Sequence, residues 1–287
     1  MKEGLWPRHM LSRSLVKPAG GLRAGRKLFG SGSAFGWGSS AVTAAVLAAC
    51  GEVKRTGGNV QSLSADCVFP VDMPEGDAKT MARALRQAGK KCGAEIAHIK
   101  GETSACVRVP GIFVTAVGEK VSEMPQPKEG DVIRVLGNTG LMGSLMLAEE
   151  GRETLNNRFC KSFIETFADE EELLALEAEE GVSAYYLSGE SIFSGLWNFA
   201  ESAHLGLHVS MQEMPVRQRT VEICEALGVN PYTLRSEGMI LTAGGTRGKK
   251  IGTFTAPKKR IVMRGEETSY LEKPSGEAFA MWQGGAL

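Results

Sequence analysis

The chain has 287 residues, in which 33 Lys and Arg are balanced by 33 Asp and Glu, and 43% of the residues are hydrophobic. That length accommodates two domains of ordinary size, and the composition excludes a largely disordered chain. The charge balance leaves no overall field for nucleic acid or a membrane surface.

Residues 1 to 38 are basic and glycine-rich, and no Asp or Glu stands between Gly4 and Gly51. Ser39 to Cys50 is alanine-rich and predicts a buried helix. Within it, Leu47-Ala48-Ala49-Cys50 looks like a lipoprotein cleavage box. The preceding segment is longer than the ~15–30 residues of a signal peptide and lacks a compact basic region. Ala41 to Cys50 is also too short to span a bilayer, so a cytoplasmic protein without membrane attachment is expected. Glu52 to Ser64 reads as a polar loop and Cys67 to Asp72 as a strand. Pro74-Glu75-Gly76-Asp77 opens a helix with Asp77 as N-cap, and Ala78, Met81, Ala82, Leu85 and Ala88 mark its buried face. Strands follow at Glu95 to Ile99 and Gly111 to Val117. Met124-Pro-Gln-Pro-Lys-Glu-Gly130 has linker composition, which divides the chain into 1–123 and 131–287.

The second half alternates strand and helix. Val132 to Leu136 is a strand, followed by a glycine turn and helices near 142–150, 154–168 and 170–180. A strand at Val182 to Leu187, a helix at 192–203, a strand at Leu207 to Met211 and a helix at 217–227 come next. Gly228 suits a left-handed C-cap, and Pro231 prevents continuation. Strands near 238–243, 251–255 and 260–264 complete a layered α/β architecture with no internal repeat.

Several clusters are candidates for chemistry. Gly137-Asn138-Thr139-Gly140-Leu141-Met142-Gly143-Ser144 joins a strand to a helix, and a helix N-terminus offers free N–H groups to phosphate. It is neither a P-loop nor a dinucleotide fingerprint, and a purely structural turn is the competing reading. Ile99-Lys100-Gly101-Glu102-Thr103-Ser104 closes a strand, where a carboxylate could hold magnesium; an ordinary surface turn competes. The six cysteines (Cys50, Cys67, Cys92, Cys106, Cys160, Cys224) lack CxxC spacing and neighbouring histidines, so they read as reduced, mostly buried thiols. His204 and His208 are four apart, but Gly206 interrupts any shared helix. The acids at 169–172 and 177–180 read as a solvated helix face. Lys249, Lys250, Lys258, Lys259, Arg260 and Arg264 lack interleaved aromatics, so nucleic-acid binding is not expected. No serine has a G-x-S-x-G frame, and no catalytic residue is assigned.

Met214 to Ala243, MPVRQRTVEICEALGVNPYTLRSEGMILTA, reads as loop, helix, tight turn and buried strand. This phrase resembles the C-terminal domain of the aminoimidazole ribonucleotide (AIR) synthase superfamily, in the branch of HypE-like and AIR synthase-related proteins. Residues 99–104 are similar to the family's Gly-Gly-Glu-Thr motif, with Lys100 in place of a glycine. The resemblance implies an α/β (α+β), two-domain PurM-like architecture with a truncated N-terminal domain, pairing through N-terminal sheets into a homodimer. It implies ATP and Mg2+ between the domains, with nucleotide contacts at Lys100, Gly101, Glu102, Thr103, Gly137, Asn138, Thr139, Gly140 and Gly143. Glu102 would be the metal ligand.

The chain departs from that family at its acids. Gly30-Ser-Gly-Ser-Ala-Phe-Gly-Trp-Gly38 stands where the family has a Gly-x-Gly-x-Asp strand, and Ala45-Val46 replaces Asn-Asp in the following helix. Ser188-Gly-Glu-Ser-Ile-Phe-Ser-Gly195 replaces a Thr-x-Gly-Gly element, only a short loop joins Ala243 to Ile251, and the end at Met281 to Leu287 lacks the cysteine-bearing HypE tail. Magnesium bridges and neutralises phosphate oxygens in phosphoryl transfer, and apolar side chains cannot hold it. The expectation is a HypE-like maturation or small-molecule-activating protein with an impaired Mg-ATP site. The candidates for replacement ligands are Glu102, Glu52, Asp66 and Asp72. The alternative is an inactive accessory subunit with a nucleotide or maturation-protein partner.

Overall fold

Small side chains set the first layer. In the computed structural model, which describes residues 26–160, 163, 173 and 176–285, the alanine-rich helix α1 (Ser39–Arg55) is buried along almost its whole length. It lies directly on β1 (Lys27–Phe35). A Cβ at Gly30 would collide with the Ala49 carbonyl, and one at Gly32 with the Ala45 carbonyl. The glycine-rich N-terminal stretch is thus, from Lys27 on, a strand that admits a helix at backbone distance.

β2 (Gly58–Phe69), β3 (Glu95–Thr103) and β4 (Gly111–Lys120) complete a four-stranded sheet of order β1-β4-β2-β3. β2 and β3 pair in parallel across the helix α2 (Glu75–Lys91). The expected loop at Glu52 to Ser64 is instead the end of α1 and the start of β2. There Val60, Leu63, Ala65 and Cys67 point inward, while Gln61, Ser62, Ser64 and Asp66 are less covered. A register shift between Val60 and Ser62 breaks the alternation that would have revealed the strand. α2 starts at Glu75 after Pro74, so Asp77 is not its N-cap. It lies in the first turn, where its charge favours the helix dipole. Met81, Ala84, Leu85 and Ala88 form the buried face, and Ala78 and Ala82 are half-buried.

Residues 121–131 carry neither helix nor strand. Beyond them, β5 (Val132–Leu136), β6 (Ser183–Tyr186), β7 (Gly206–Ser210), β8 (Ile240–Ala243), β9 (Lys249–Thr255), β10 (Arg260–Arg264) and β11 (Glu267–Tyr270) form a sheet of order β11-β10-β7-β9-β5-β8-β6. Among the described residues its only parallel pair is β7 with β10. One face carries α5 (Ile192–Ser202) through Ile192, Leu196 and Phe199. The helices α3 (Leu141–Glu150) and α6 (Gln218–Leu227) share a core with α1, so apolar packing is continuous between the two halves. α6 ends at Gly228 with φ 70°, and Val229 N–H donates to Cys224 O at 2.8 Å, the left-handed cap that the glycine signals.

The helices expected at 154–168 and 170–180 fall largely outside the described residues. What is described is a short helix α4 (Arg152–Asn156), helical backbone at Phe163 and Leu173, and non-helical backbone at 157–160 and 176–179. Strand β11 and the terminal helix α7 (Ala278–Gln283) were not expected from the sequence. Both are short, and β11 has no buried residue to give it a pattern.

Candidate functional site

The edge of β1, the neighbouring part of β4, Ser188-Gly189, Arg235 and the α7 segment enclose a cavity of ≈ 820 Å³, within the size range of small-molecule sites. It is open to the outer face of the first sheet through Ser31, Ser33, Phe35 and Phe113. Phe35 and Phe113 meet edge to face at 5.7 Å. Arg108 is exposed at the rim. Arg235 is buried at the base, donates from Nη2 to the Ser33 carbonyl at 3.2 Å and from Nε to Glu237 Oε1 at 2.7 Å. Burial works against the Arg235 charge, but Glu237 more than restores it, by charge and hydrogen bond, and raises the pKa above its ordinary value.

Glu277 ties the C-terminal segment to the same place. Its carboxylate accepts the Arg235 N–H at 2.9 Å and the Phe279 and Ala280 N–H groups at 2.8 and 3.1 Å. Burial pushes the Glu277 carboxyl up, with Arg235 and the two amides opposing. β1, the 235–237 loop and α7 are therefore one hydrogen-bonded unit around the cavity.

A second buried network joins α1 to the other half. Glu190 accepts from Arg55 Nη1 at 3.2 Å, from Tyr185 OH at 3.0 Å and from Asn198 Nδ2 at 2.8 Å. Arg55 also pairs with Glu52 and lies 4.7 Å from the Tyr185 ring centroid. At the N-terminus of α1, Glu149 from the end of α3 accepts from Ser40 N–H and Ser39 Oγ, each at 3.1 Å. A protein carboxylate thus satisfies the helix end that would otherwise suit an anion.

The residues singled out in the sequence fall into two separate places. Lys100, Gly101, Glu102 and Thr103 lie on the exposed edge strand β3, where Lys100 and Glu102 pair at 2.9 Å. Gly137, Asn138, Thr139, Gly140 and Gly143 form the turn between β5 and α3, with φ 95° at Gly137 and 68° at Gly140. Neither group is among the residues lining the cavity. In the turn, Thr139 N–H donates to Pro215 O at 2.7 Å, Gly140 N–H to Ser236 Oγ at 2.9 Å and Gly143 N–H to Arg235 O at 3.0 Å. The turn therefore supports the Arg235 loop from behind, and its glycines let Pro231 and Leu234 approach closely.

The remaining acids do not converge. Glu52 is engaged by Arg55, Asp66 lies opposite Lys100 on β2, and Asp72 is exposed beyond the end of that strand. Among the described residues no three His, Cys, Asp or Glu side chains could hold a metal together. Among the described residues the one acid lining the cavity, Glu277, already accepts three N–H groups. The residues present do not fit a magnesium cage, which needs carboxylate oxygens directed at one point.

Other clusters are absorbed by packing. Glu177 pairs with Lys54, and Glu179 accepts from the 246–247 turn, so these two are not merely a solvated helix face. The acids at 169–172 lie outside the described residues. His204 is on a turn and His208 is in β7. Arg260 pairs with Glu201 and lies 4.1 Å from the Trp197 ring centroid, and Lys249 pairs with Glu213 at 3.3 Å. Leu47 to Cys50, the apparent cleavage box, is the buried centre of α1. Among the described residues no helix is long and apolar enough to cross a membrane.

The sequence reading missed Ser31, Ser33, Arg108, Arg235 and Glu277. Arg235-Ser236-Glu237 offered a signal, because two opposite charges interrupt an otherwise apolar phrase before a buried strand. Ser31 and Ser33 offered none.

No family model matches the chain. A protein of Methanocaldococcus jannaschii named for hydrogenase expression/formation is 24% identical over 209 residues, 69% of this chain and 60% of that protein. The carbamoyl dehydratase HypE of Rhodobacter capsulatus is 30% identical over 176 residues, 56% of this chain and 48% of that protein. The matched region thus spans only about half to three-fifths of these curated relatives. A crystal structure of the hydrogenase maturation protein HypE superposes with a TM-score of 0.70 at 18% identity, covering 92% of this chain and 94% of that one. HypE in complex with ATP gives 0.67 at 16% identity, with 88% and 87% covered. HypE from a HypE-HypF complex gives 0.68 at 17% identity, with 88% and 92% covered. At such identities the superpositions speak to fold. In sequence and in fold together, the chain resembles the HypE-like branch of the AIR synthase, or PurM-like, superfamily.

Proposed function

We propose that the chain is a HypE-like protein of metalloenzyme maturation that holds a nucleotide between β1 and the α7 segment without a magnesium cage of its own. The observation that carries this reading is the ≈ 820 Å³ cavity, in a fold shared with a HypE solved in complex with ATP. Arg108 supplies a cation at the rim for phosphate, Ser31 and Ser33 supply hydroxyls, and Phe35 and Phe113 supply a face for a base. Because no carboxylate set points into the cavity, phosphoryl transfer has no metal to neutralise its developing charge. The function that fits is binding and partnership, not turnover, in a cytoplasmic protein. The HypE-HypF complex among the structural neighbours supports a maturation protein as partner. Phe29, Phe35 and Phe113, 52%, 43% and 39% exposed on the outer face of the first sheet, support a homodimer through that face.

Calorimetric titration with a non-hydrolysable ATP analogue, with and without magnesium, tests this. Binding that magnesium does not strengthen, with no phosphate release that tracks the protein, is the expected result. Magnesium-dependent binding accompanied by ATP turnover would instead establish an active enzyme with rebuilt ligands, and Glu102 would be the first to mutate.

A further inference from the structure

We propose that Cys50 and Cys92 are a peroxide-responsive thiol pair that closes into a disulfide between α1 and the end of α2. The pair is independent of the nucleotide reading, since neither cysteine lines the large cavity.

Three observations carry it. Both thiols are free, Cys50 buried in α1 and Cys92 partly exposed at the C-cap of α2, and both line the same small space. Cys92 is outside the helical run, so its side chain can turn toward Cys50 without breaking a helix; a disulfide needs the sulfurs about 2 Å apart. A small space of ≈ 20 Å³ adjoins both, lined also by Lys54, Leu47, Leu176 and Tyr186. That is room for one water-sized molecule, and hydrogen peroxide is little larger.

The surroundings divide the roles. The groups facing the pair are Lys54 from α1, Glu177 and Tyr186. The hydrogen bond from Cys50 holds the Cys92 thiol below its ordinary value; burial and Glu177 oppose this, and Lys54 assists it. The same bond, with burial, drives Cys50 far up. Access assigns the roles: Cys92, partly exposed at the end of α2, meets the oxidant and attacks, and Cys50, buried in α1, resolves.

The chemistry balances with peroxide as oxidant. The Cys92 thiolate attacks one peroxide oxygen, the O–O bond breaks, and hydroxide leaves with Cys92 as sulfenic acid. The Cys50 sulfur then attacks the Cys92 sulfur, the S–O bond breaks, and the departing hydroxide takes the Cys50 proton as water. The two thiols lose two electrons, and the peroxide gains them.

The competing sites make the test sharp. Cys106 and Cys160 are exposed and would react first if access alone governed oxidation. The reduced full chain is treated with one equivalent of hydrogen peroxide, alkylated and mapped by peptide mass. A Cys50–Cys92 disulfide that dithiothreitol reverses is expected, and in Cys50→Ser a dimedone adduct on Cys92. Oxidation at Cys106 or Cys160, with Cys50 and Cys92 still alkylated as thiols, overturns the proposal. Should Cys50→Ser not fold, the same mapping on the Cys106→Ser/Cys160→Ser chain, which keeps the pair, decides between those two outcomes.

Discussion

Arg235 concentrates the energetics of the site in one side chain. It is buried, its guanidinium donates to Glu237 Oε1, and Glu237 Oε2 has no hydrogen-bond partner among the described residues. Removing one member of such a pair leaves a buried charge uncompensated, so Arg235→Ala should cost about 3–5 kcal/mol. Chemical denaturation measures the loss, and the double change Arg235→Met/Glu237→Leu should recover much of it. Glu277 adds a pH dependence. Its folded pKa is raised, chiefly by burial, so its contribution is fully present below the ordinary carboxylate value and is lost as pH rises through the folded value. Thermal unfolding followed across about pH 4 to 7 should therefore show a decline that Glu277→Gln flattens. Arg108 is different because it is exposed at the rim, where the proposed ligand would meet it. Arg108→Ala should leave stability unchanged and weaken binding of an ATP analogue about tenfold, read by calorimetry. Equal affinity in the variant would remove Arg108 from the site.

The element that most constrains the first half is β1, whose glycines are read correctly only once α1 is placed on them. Gly32 has no room for a side chain because the Ala45 carbonyl and Ala48 Cβ occupy it. Gly32→Val should therefore cost about 3 kcal/mol through overpacking, measured by urea unfolding, whereas the same change at the open Gly76 should cost far less. The turn from Gly137 to Gly143 shows how an element can match a phosphate-seat pattern and yet be occupied by the protein. A phosphate seat needs amides directed at solvent. Those of Thr139, Gly140 and Gly143 are directed at Pro215, Ser236 and Arg235. Local spacing is the same in both cases, and only the partner segment differs.

For the whole molecule, the cavity exists because the first sheet, the loops at 188–189 and 235 and a terminal helix meet, and none of them contains it alone. Its mouth adjoins the outer face of the first sheet, so the proposed dimer and the proposed nucleotide site are neighbours. Phe29 is on that face but not in the cavity lining. Phe29→Asp should convert a dimer to a monomer in light scattering while preserving the fold by circular dichroism. A wild-type chain that is already monomeric would refute the dimer and leave the cavity reading intact.

Much of the architecture was determined locally. The strand β5, the end of α6 at Gly228, the buried α1 and the alternation of strand and helix after residue 131 follow from side-chain period and cap chemistry, which are properties of neighbouring residues. The phrase from Met214 to Ala243 likewise carried the resemblance that the superpositions bear out as fold. The site was decided elsewhere. Ser33, Arg108, Arg235 and Glu277 are far apart in sequence and come together only when β1 pairs with β4 and α7 folds back onto the Arg235 loop. The hydrogen bonds that use up the glycine turn's amides, and the ion pairs that occupy Glu52 and Glu102, are also long-range or conformational facts. Periodicity reports which face of an element is buried, but not what it is buried against. In this chain that second question separates a ligand site from a well-packed turn.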